Sequence, residues 1–147
     1  MTVFLYHVQL NVSDRARALP FYRDLFEYLG YRTVAGGPDF MGVSNGTTDF
    51  WIFETAPEHR DPPFHRKRTG VNHLAFGVDA REDVDAFCRD FLAPRGIATL
   101  YGSPREYPEY TAGYYAVFFE DPDRLKLEVV WRPNRPDRRA GAGARRR

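Results

Sequence analysis

Two histidines and one glutamate are the residues of this chain whose types and spacing are suited to shared chemistry. His7 heads the segment His7-Val8-Gln9-Leu10-Asn11-Val12, and His73 heads His73-Leu74-Ala75-Phe76-Gly77-Val78, 66 residues later. Glu128 closes the stretch Leu125-Lys126-Leu127-Glu128. Two imidazoles and one carboxylate form a ligand set for Fe(II), Mn(II), Zn(II), Ni(II) or Co(II), with positions left for water or substrate. These are borderline-to-hard donors, so the set selects no single metal. Such an ion polarises substrate oxygens and stabilises a developing oxyanion.

The elements that must position these side chains come as a repeat. Fourteen residues after each histidine a second echo follows, Phe21-Tyr22-Arg23-Asp24-Leu25 and Phe87-Cys88-Arg89-Asp90-Phe91, and Gly30 and Gly96 share one offset. A repeat of this period means two copies of one supersecondary unit. Residues 3–12 alternate and read as a strand, and 15–29 as an amphipathic helix capped by Ser13 or Asp14 and ended at Gly30. Pro20 makes the start of that helix a soft boundary. Strands at 31–35, 39–44 and 49–54 complete a βαβββ unit, with Asn45-Gly46 as a tight turn. A polar linker covers 55–69. The order then repeats: a strand at 71–78, a helix at 81–93, and strands at 97–101, 113–119 and 125–131, with a longer loop at 102–112. The fold class expected is α+β, with modules at 1–54 and 70–131.

Strand parity places the three candidates together. Val8, Leu10 and Val12 share the face that packs on the helix, as do Leu74, Phe76 and Val78. His7, Gln9 and Asn11 take the other face, as do His73, Ala75 and Gly77. In the last strand Leu125, Leu127 and Val129 oppose Lys126 and Glu128. His7, His73 and Glu128 are therefore all expected on faces that carry no helix, with the small residues Ala75 and Gly77 leaving room. His59 and His65 lie in the linker among Arg60, Arg66, Lys67 and Arg68 and are expected in solvent. Cys88 matches Tyr22 in the repeat and is expected in the core.

Composition fits one compact unit of paired modules. The chain has 147 residues, 43% apolar and 16% aromatic, enough for a core and a lined cavity. The single cysteine excludes an internal disulfide. No apolar run is long enough to span a bilayer, and a cytoplasmic location is the expectation. The net charge of +1 hides an asymmetry: residues 132–147 hold seven arginines and one aspartate, +6, which leaves −5 for the rest. That tail is expected to be disordered. It could touch polyanions weakly, but the acidic body argues against a nucleic-acid partner.

The motifs resemble those of the vicinal oxygen chelate superfamily: glyoxalase I, bleomycin-resistance proteins, fosfomycin-resistance thiol transferases and extradiol dioxygenases. The resemblance covers about residues 3–131. It rests on His7 through Asp14, the Phe21 echo, Asn72-His73-Leu74-Ala75-Phe76, and above all Phe119-Glu120-Asp121-Pro122-Asp123-Arg124-Leu125-Lys126-Leu127-Glu128. It implies paired modules forming an open U-shaped mixed barrel around a divalent metal held by His7, His73 and Glu128. Glyoxalase I carries a fourth ligand, a glutamate, where Trp51 aligns here, so a three-ligand site is implied, closer to the fosfomycin-resistance enzymes. Arg124 stands where the turn usually carries glycine. The resemblance implies a metal-dependent lyase, dioxygenase or transferase acting on a small molecule with vicinal oxygens; the alternative is a non-catalytic small-molecule binder of the same fold. Glu128 and Tyr115 are the expected catalytic residues, and Gln9, Trp51, Phe53 and Tyr110 the expected substrate contacts. A homodimer is expected; the resemblance implies His7 of one subunit meeting His73 and Glu128 of the other, while the linker from Thr55 to Thr69 allows pairing either within one chain or between two.

Overall fold

The computed structural model describes residues 3–133. The first module runs β1 (His7–Val12), α1 (Arg15–Tyr28), β2 (Arg32–Gly36), β3 (Phe40–Ser44) and β4 (Asp49–Glu54). The second runs β5 (His73–Gly77), α2 (Arg81–Phe87), β6 (Thr99–Glu106), β7 (Tyr115–Glu120) and β8 (Lys126–Trp131). Each module forms one four-stranded mixed sheet, ordered β1-β4-β3-β2 and β5-β8-β7-β6. β1 pairs with β4, and β5 with β8, in parallel; the remaining pairs are antiparallel. The two sheets are open, and they do not close into a barrel. Most of the arginine-rich tail, from residue 134 on, lies outside the described residues. Among the described residues no helix is long and apolar enough to cross a membrane.

Local signals set the boundaries. The Asp14 side chain accepts the Ala16 and Arg17 N–H groups and caps α1. The helix admits Pro20 in its interior rather than starting after it. It ends in a Schellman turn: Gly30, at φ 81°, donates to Glu27 O, and Tyr31 donates to Phe26 O. The second module repeats that turn, with Gly96 at φ 62° donating to Ala93 O and Ile97 to Leu92 O. Between α2 and this turn the expected single helix changes pitch. It widens to a π-type turn over Cys88–Leu92 and tightens to a 3-10 turn over Ala93–Arg95 around Pro94, which has no N–H to donate.

β6 outruns its expected end. Leu100 pairs with Phe118 and the next pair is Arg105 with Ala116, so the edge strand bulges by several residues. Tyr101 and Gly102 take φ 60° and 65° there, and the Ser103 hydroxyl accepts the Phe118 N–H at 3.0 Å.

The helix-side faces of both sheets share one core. Phe26 of α1 packs on Phe50 of β4 at 4.7 Å and on Phe76 of β5 at 6.0 Å, and Tyr28 packs on Phe87 at 5.5 Å. Polar contacts add to this seam. The buried Tyr22 hydroxyl donates to Asp121 at 2.6 Å, Ser13 N donates to Asp123 at 2.7 Å, and Arg95 pairs with Asp24 at 3.1 Å. With the helix sides spent on one another, the opposite face of each sheet is turned away from this core.

Candidate metal centre

β5 and β8 build the site by register. His73 lies beside Lys126, and Ala75 beside Glu128. Leu127 and Val129 are fully buried in the shared core. Their neighbours Lys126 and Glu128 therefore emerge on the helix-free face. Glu128 is 1% exposed although its face carries no helix. On that face Tyr107, from the loop before β7, forms a small second core with Ala116 and Phe118 of β7, on which Leu100, Tyr114 and Val130 pack.

Three contacts fix the pair. The Asn72 amide donates to Arg66 O at 3.0 Å, which turns its carbonyl oxygen to His73 Nδ1, 3.0 Å away. That oxygen only accepts, so Nδ1 carries the ring proton. Nε2 then presents a lone pair to Glu128 Oε2 at 3.3 Å. The other carboxylate oxygen, Oε1, accepts the Tyr114 hydroxyl at 2.5 Å. Two electron-pair donors held this way need a cation with them, a proton or a metal ion. Burial pushes the Glu128 carboxyl up, against the pull of the Tyr114 hydrogen bond and of Lys126. Burial and then Lys126 hold the His73 imidazole below its ordinary value, and the neutral ring is the form that ligates. Tyr114 is raised by burial and by Glu128, so the phenol stays a donor.

The other expected residues divide between the two modules. His7, Gln9 and Asn11 are exposed on the helix-free face of β1, as parity requires. Trp51 and Phe53 share that face, because β4 sets Trp51 beside Gln9 and Phe53 beside Asn11. Tyr110 lies in the loop between β6 and β7, stacked on Tyr107 at 5.6 Å and edge-on to Tyr114 at 5.4 Å. Among the described residues no three His, Cys, Asp or Glu side chains come together around one point. One chain thus supplies His73 and Glu128 as a pair, with His7 on the other sheet. His59 and His65 are exposed, as expected, and Cys88 is half-buried against the core. Burial pushes the Cys88 thiol up to about 11, so it is no nucleophile at neutral pH.

Tyr115 does not face the pair. Its hydroxyl donates to Asp85 of α2 at 2.7 Å, and Arg81 lies over its ring. The phenol beside Glu128 is that of Tyr114, in the same run of tyrosines (107, 110, 114 and 115) from which Tyr115 was the one expected. The signal was present: Tyr115, Val117 and Phe119 face the shared core, so alternation sends Tyr114 the other way. A cavity of about 550 Å³ lies elsewhere. It sits between the modules and is lined by apolar groups such as Val8, Phe50, Phe76 and Val129. The convergent polar groups, not the cavity size, mark the site.

Comparison with known proteins agrees with this architecture. Residues 5–129 match the family described as the Glyoxalase/Bleomycin resistance protein/Dioxygenase superfamily. The chain belongs to this superfamily. An uncharacterised Bacillus subtilis (strain 168) protein, YqjT, is 33% identical over 126 residues, covering 86% of this chain and 97% of its own. The solved structure of a presumed glyoxalase from Bacillus halodurans is 36% identical, with a TM-score of 0.79 over 87% of this chain and 95% of that one. The fold alone is shared with lactoylglutathione lyase of Agrobacterium tumefaciens: 22% identity and a TM-score of 0.62 over 88% of this chain and 94% of that one.

Within the superfamily fold the two modules can be laid on each other by register. The residue two after the first histidine, Gln9, lies beside Trp51; the residue two after the second, Ala75, lies beside Glu128. Trp51 therefore occupies the first-module position that corresponds to Glu128. Its ring lies over Gly42, where an added Cβ would meet it at 2.7 Å. Asp49 sits beside His7, and Glu54 is engaged by Arg15 and Arg60.

Proposed function

We propose that this superfamily member is a divalent-metal-dependent enzyme of the glyoxalase or dioxygenase type, acting on a small molecule with vicinal oxygens. The observation that carries the reading is the His73–Glu128 pair: a neutral imidazole lone pair 3.3 Å from a buried carboxylate oxygen, each fixed from behind by a second residue. Metal-ligating histidines are oriented in this way by a hydrogen bond on the far nitrogen. The pair fits Fe, Mn, Zn, Ni or Co as two of three ligands. His7 of a second copy is the proposed third, in a homodimer. Two features support that assembly. Among the described residues β1 and β5 each keep one unpaired edge, and Val3, Phe4, Leu5 and Tyr6 are 62–75% exposed in succession just before β1.

When bound, the ion would supply Lewis-acid polarisation of the substrate oxygens. The chain's own residues do the remainder. Asn72 sets the His73 tautomer, Tyr114 orients Glu128, and Ala75 and Gly77 keep the floor low. Tyr110, Gln9, Trp51 and Phe53 are the proposed substrate contacts from the two modules. A second reading is a non-catalytic binder of the same fold, favoured by one observation: an indole, Trp51, stands where a second carboxylate would serve as base.

Metal analysis of purified, metal-reconstituted protein separates the two. Stoichiometric divalent metal, lost in His73→Ala and Glu128→Gln, is the result expected for the enzyme. Metal-free protein that still folds supports the binder.

A further inference from the structure

The helix-free face of the second sheet holds a cation that the site described above leaves unused. Lys126 lies beside His73 in the parallel ladder and opposite Glu120 in the antiparallel one. It emerges on the same face as Glu128, two residues on. Glu120 is already engaged, by Arg66 and by Arg124 at 3.6 Å. Among the described residues no carboxylate lies within ion-pair distance of Lys126. Its ammonium sits over two rings instead, 5.4 Å from the Phe118 centroid and 5.7 Å from that of Tyr101. Those rings attract the ammonium but bring no counter-charge, so it stays unneutralised at the site.

Tyr101 has the mark of a built wall. It takes φ 60° in the bulge of β6, a conformation that disfavours a side chain, yet the residue is 55% exposed. It stands edge-on to Phe118 at 5.6 Å.

An unneutralised lysine beside two donors for another cation works against that cation. A dication held by Glu128 with Lys126 alongside leaves about two positive charges at the site, before substrate arrives. A vicinal diol that loses a proton on chelation supplies one negative charge, and a carboxylate on the same ligand supplies the second. We infer that the substrate is a carboxylate: its vicinal oxygens lie at His73 and Glu128, its acid group on Lys126, and its flat body against Tyr101. This rests on the metal reading of the preceding subsection and adds the substrate's charge to it.

The test is titration calorimetry on full-length, metal-reconstituted protein with two probes, 3,4-dihydroxybenzoate and catechol. They share the ring and the vicinal oxygens and differ in the carboxylate. Wild type is expected to bind the acid about tenfold more tightly than catechol, the scale of one charge-assisted hydrogen bond. Lys126→Met removes the charge and is expected to abolish that preference, with catechol affinity changed less than about twofold. Lys126→Arg is expected to keep most of it. Equal affinities in wild type, a preference that survives Lys126→Met, or metal-loaded protein that binds neither probe overturns the assignment. The wild-type comparison decides even if a variant fails to fold. Metal content is measured on the same samples. Metal-free protein counts against the metal centre, and metal-loaded protein indifferent to the carboxylate counts against the role of Lys126 alone.

Discussion

A single hydroxyl decides how Glu128 is presented. Tyr114 donates to one carboxylate oxygen and leaves the other for His73. Tyr114→Phe removes that donor from a buried acceptor while keeping the ring. Its expected effect is a fall of about tenfold or more in divalent-metal affinity, measured by competition with a chelator, with the fold retained. A second buried carboxyl, Asp121, is structural. Its Oδ1 accepts the Asp123 and Leu125 N–H groups, and Oδ2 accepts the Tyr22 hydroxyl. Burial raises it from 3.8 to about 6, against the pull of those hydrogen bonds. A group raised on folding contributes stability that is complete below its unfolded value and lost as pH climbs through the folded one. Asp121 should therefore withdraw about 2–3 kcal/mol between pH 4 and pH 6. Asp121→Asn keeps the backbone acceptor without the charge. Denaturant melts of the two proteins across that window are expected to converge at pH 4, with the variant the more stable at pH 7. At this scale the sequence showed which residue types could ligate. Alternation separates Tyr114 from Tyr115, but that the Tyr114 hydroxyl reaches Glu128 follows from the register of β7 on β8, which no local pattern states.

Strands and turns were the most legible level. Period-two alternation assigned His7, Gln9 and Asn11 to one face and Val8, Leu10 and Val12 to the other, and exposure follows that division. The turn glycines at 30 and 96 end both helical segments in the same hydrogen-bonded turn. Arg124, flagged for standing at a glycine position, adopts φ 67°. What alternation could not show was departure from regular geometry. The pitch change after Phe87 and the bulge in β6 depend on Pro94 and on the Ser103–Phe118 contact, neither of which is periodic. The Trp51–Gly42 pair gives a test at this level. Gly42→Ala drives a methyl into the indole and is expected to cost about 1–3 kcal/mol and to shift tryptophan fluorescence, as Trp51 leaves its place on β3. An unchanged spectrum would mean that the ring does not lie there.

The module pair is where metal binding and assembly meet. His7 and the His73–Glu128 pair lie on different sheets whose helix sides share a core, so the proposed centre needs two copies of the chain. Complementation tests this directly. His7→Ala and Glu128→Gln are each expected to bind no stoichiometric metal alone. Mixed, dissociated and reassociated, they are expected to recover about a quarter of the wild-type sites, since half of the dimers are mixed and each mixed dimer has one intact centre. No recovery would rule out a centre shared between two copies.

The repeat, the capping residues and the alternation are local, and they sufficed to give two βαβββ units with their candidate ligands on the helix-free faces. Which face meets which was decided by contacts far apart along the chain: Phe26 on Phe76, Tyr22 on Asp121, Ser13 on Asp123. An amphipathic strand specifies that its apolar side must be covered, but burial is non-directional and names no partner. Only the packing of α1 against the second module settled that the apolar sides cover each other and the histidines look outward.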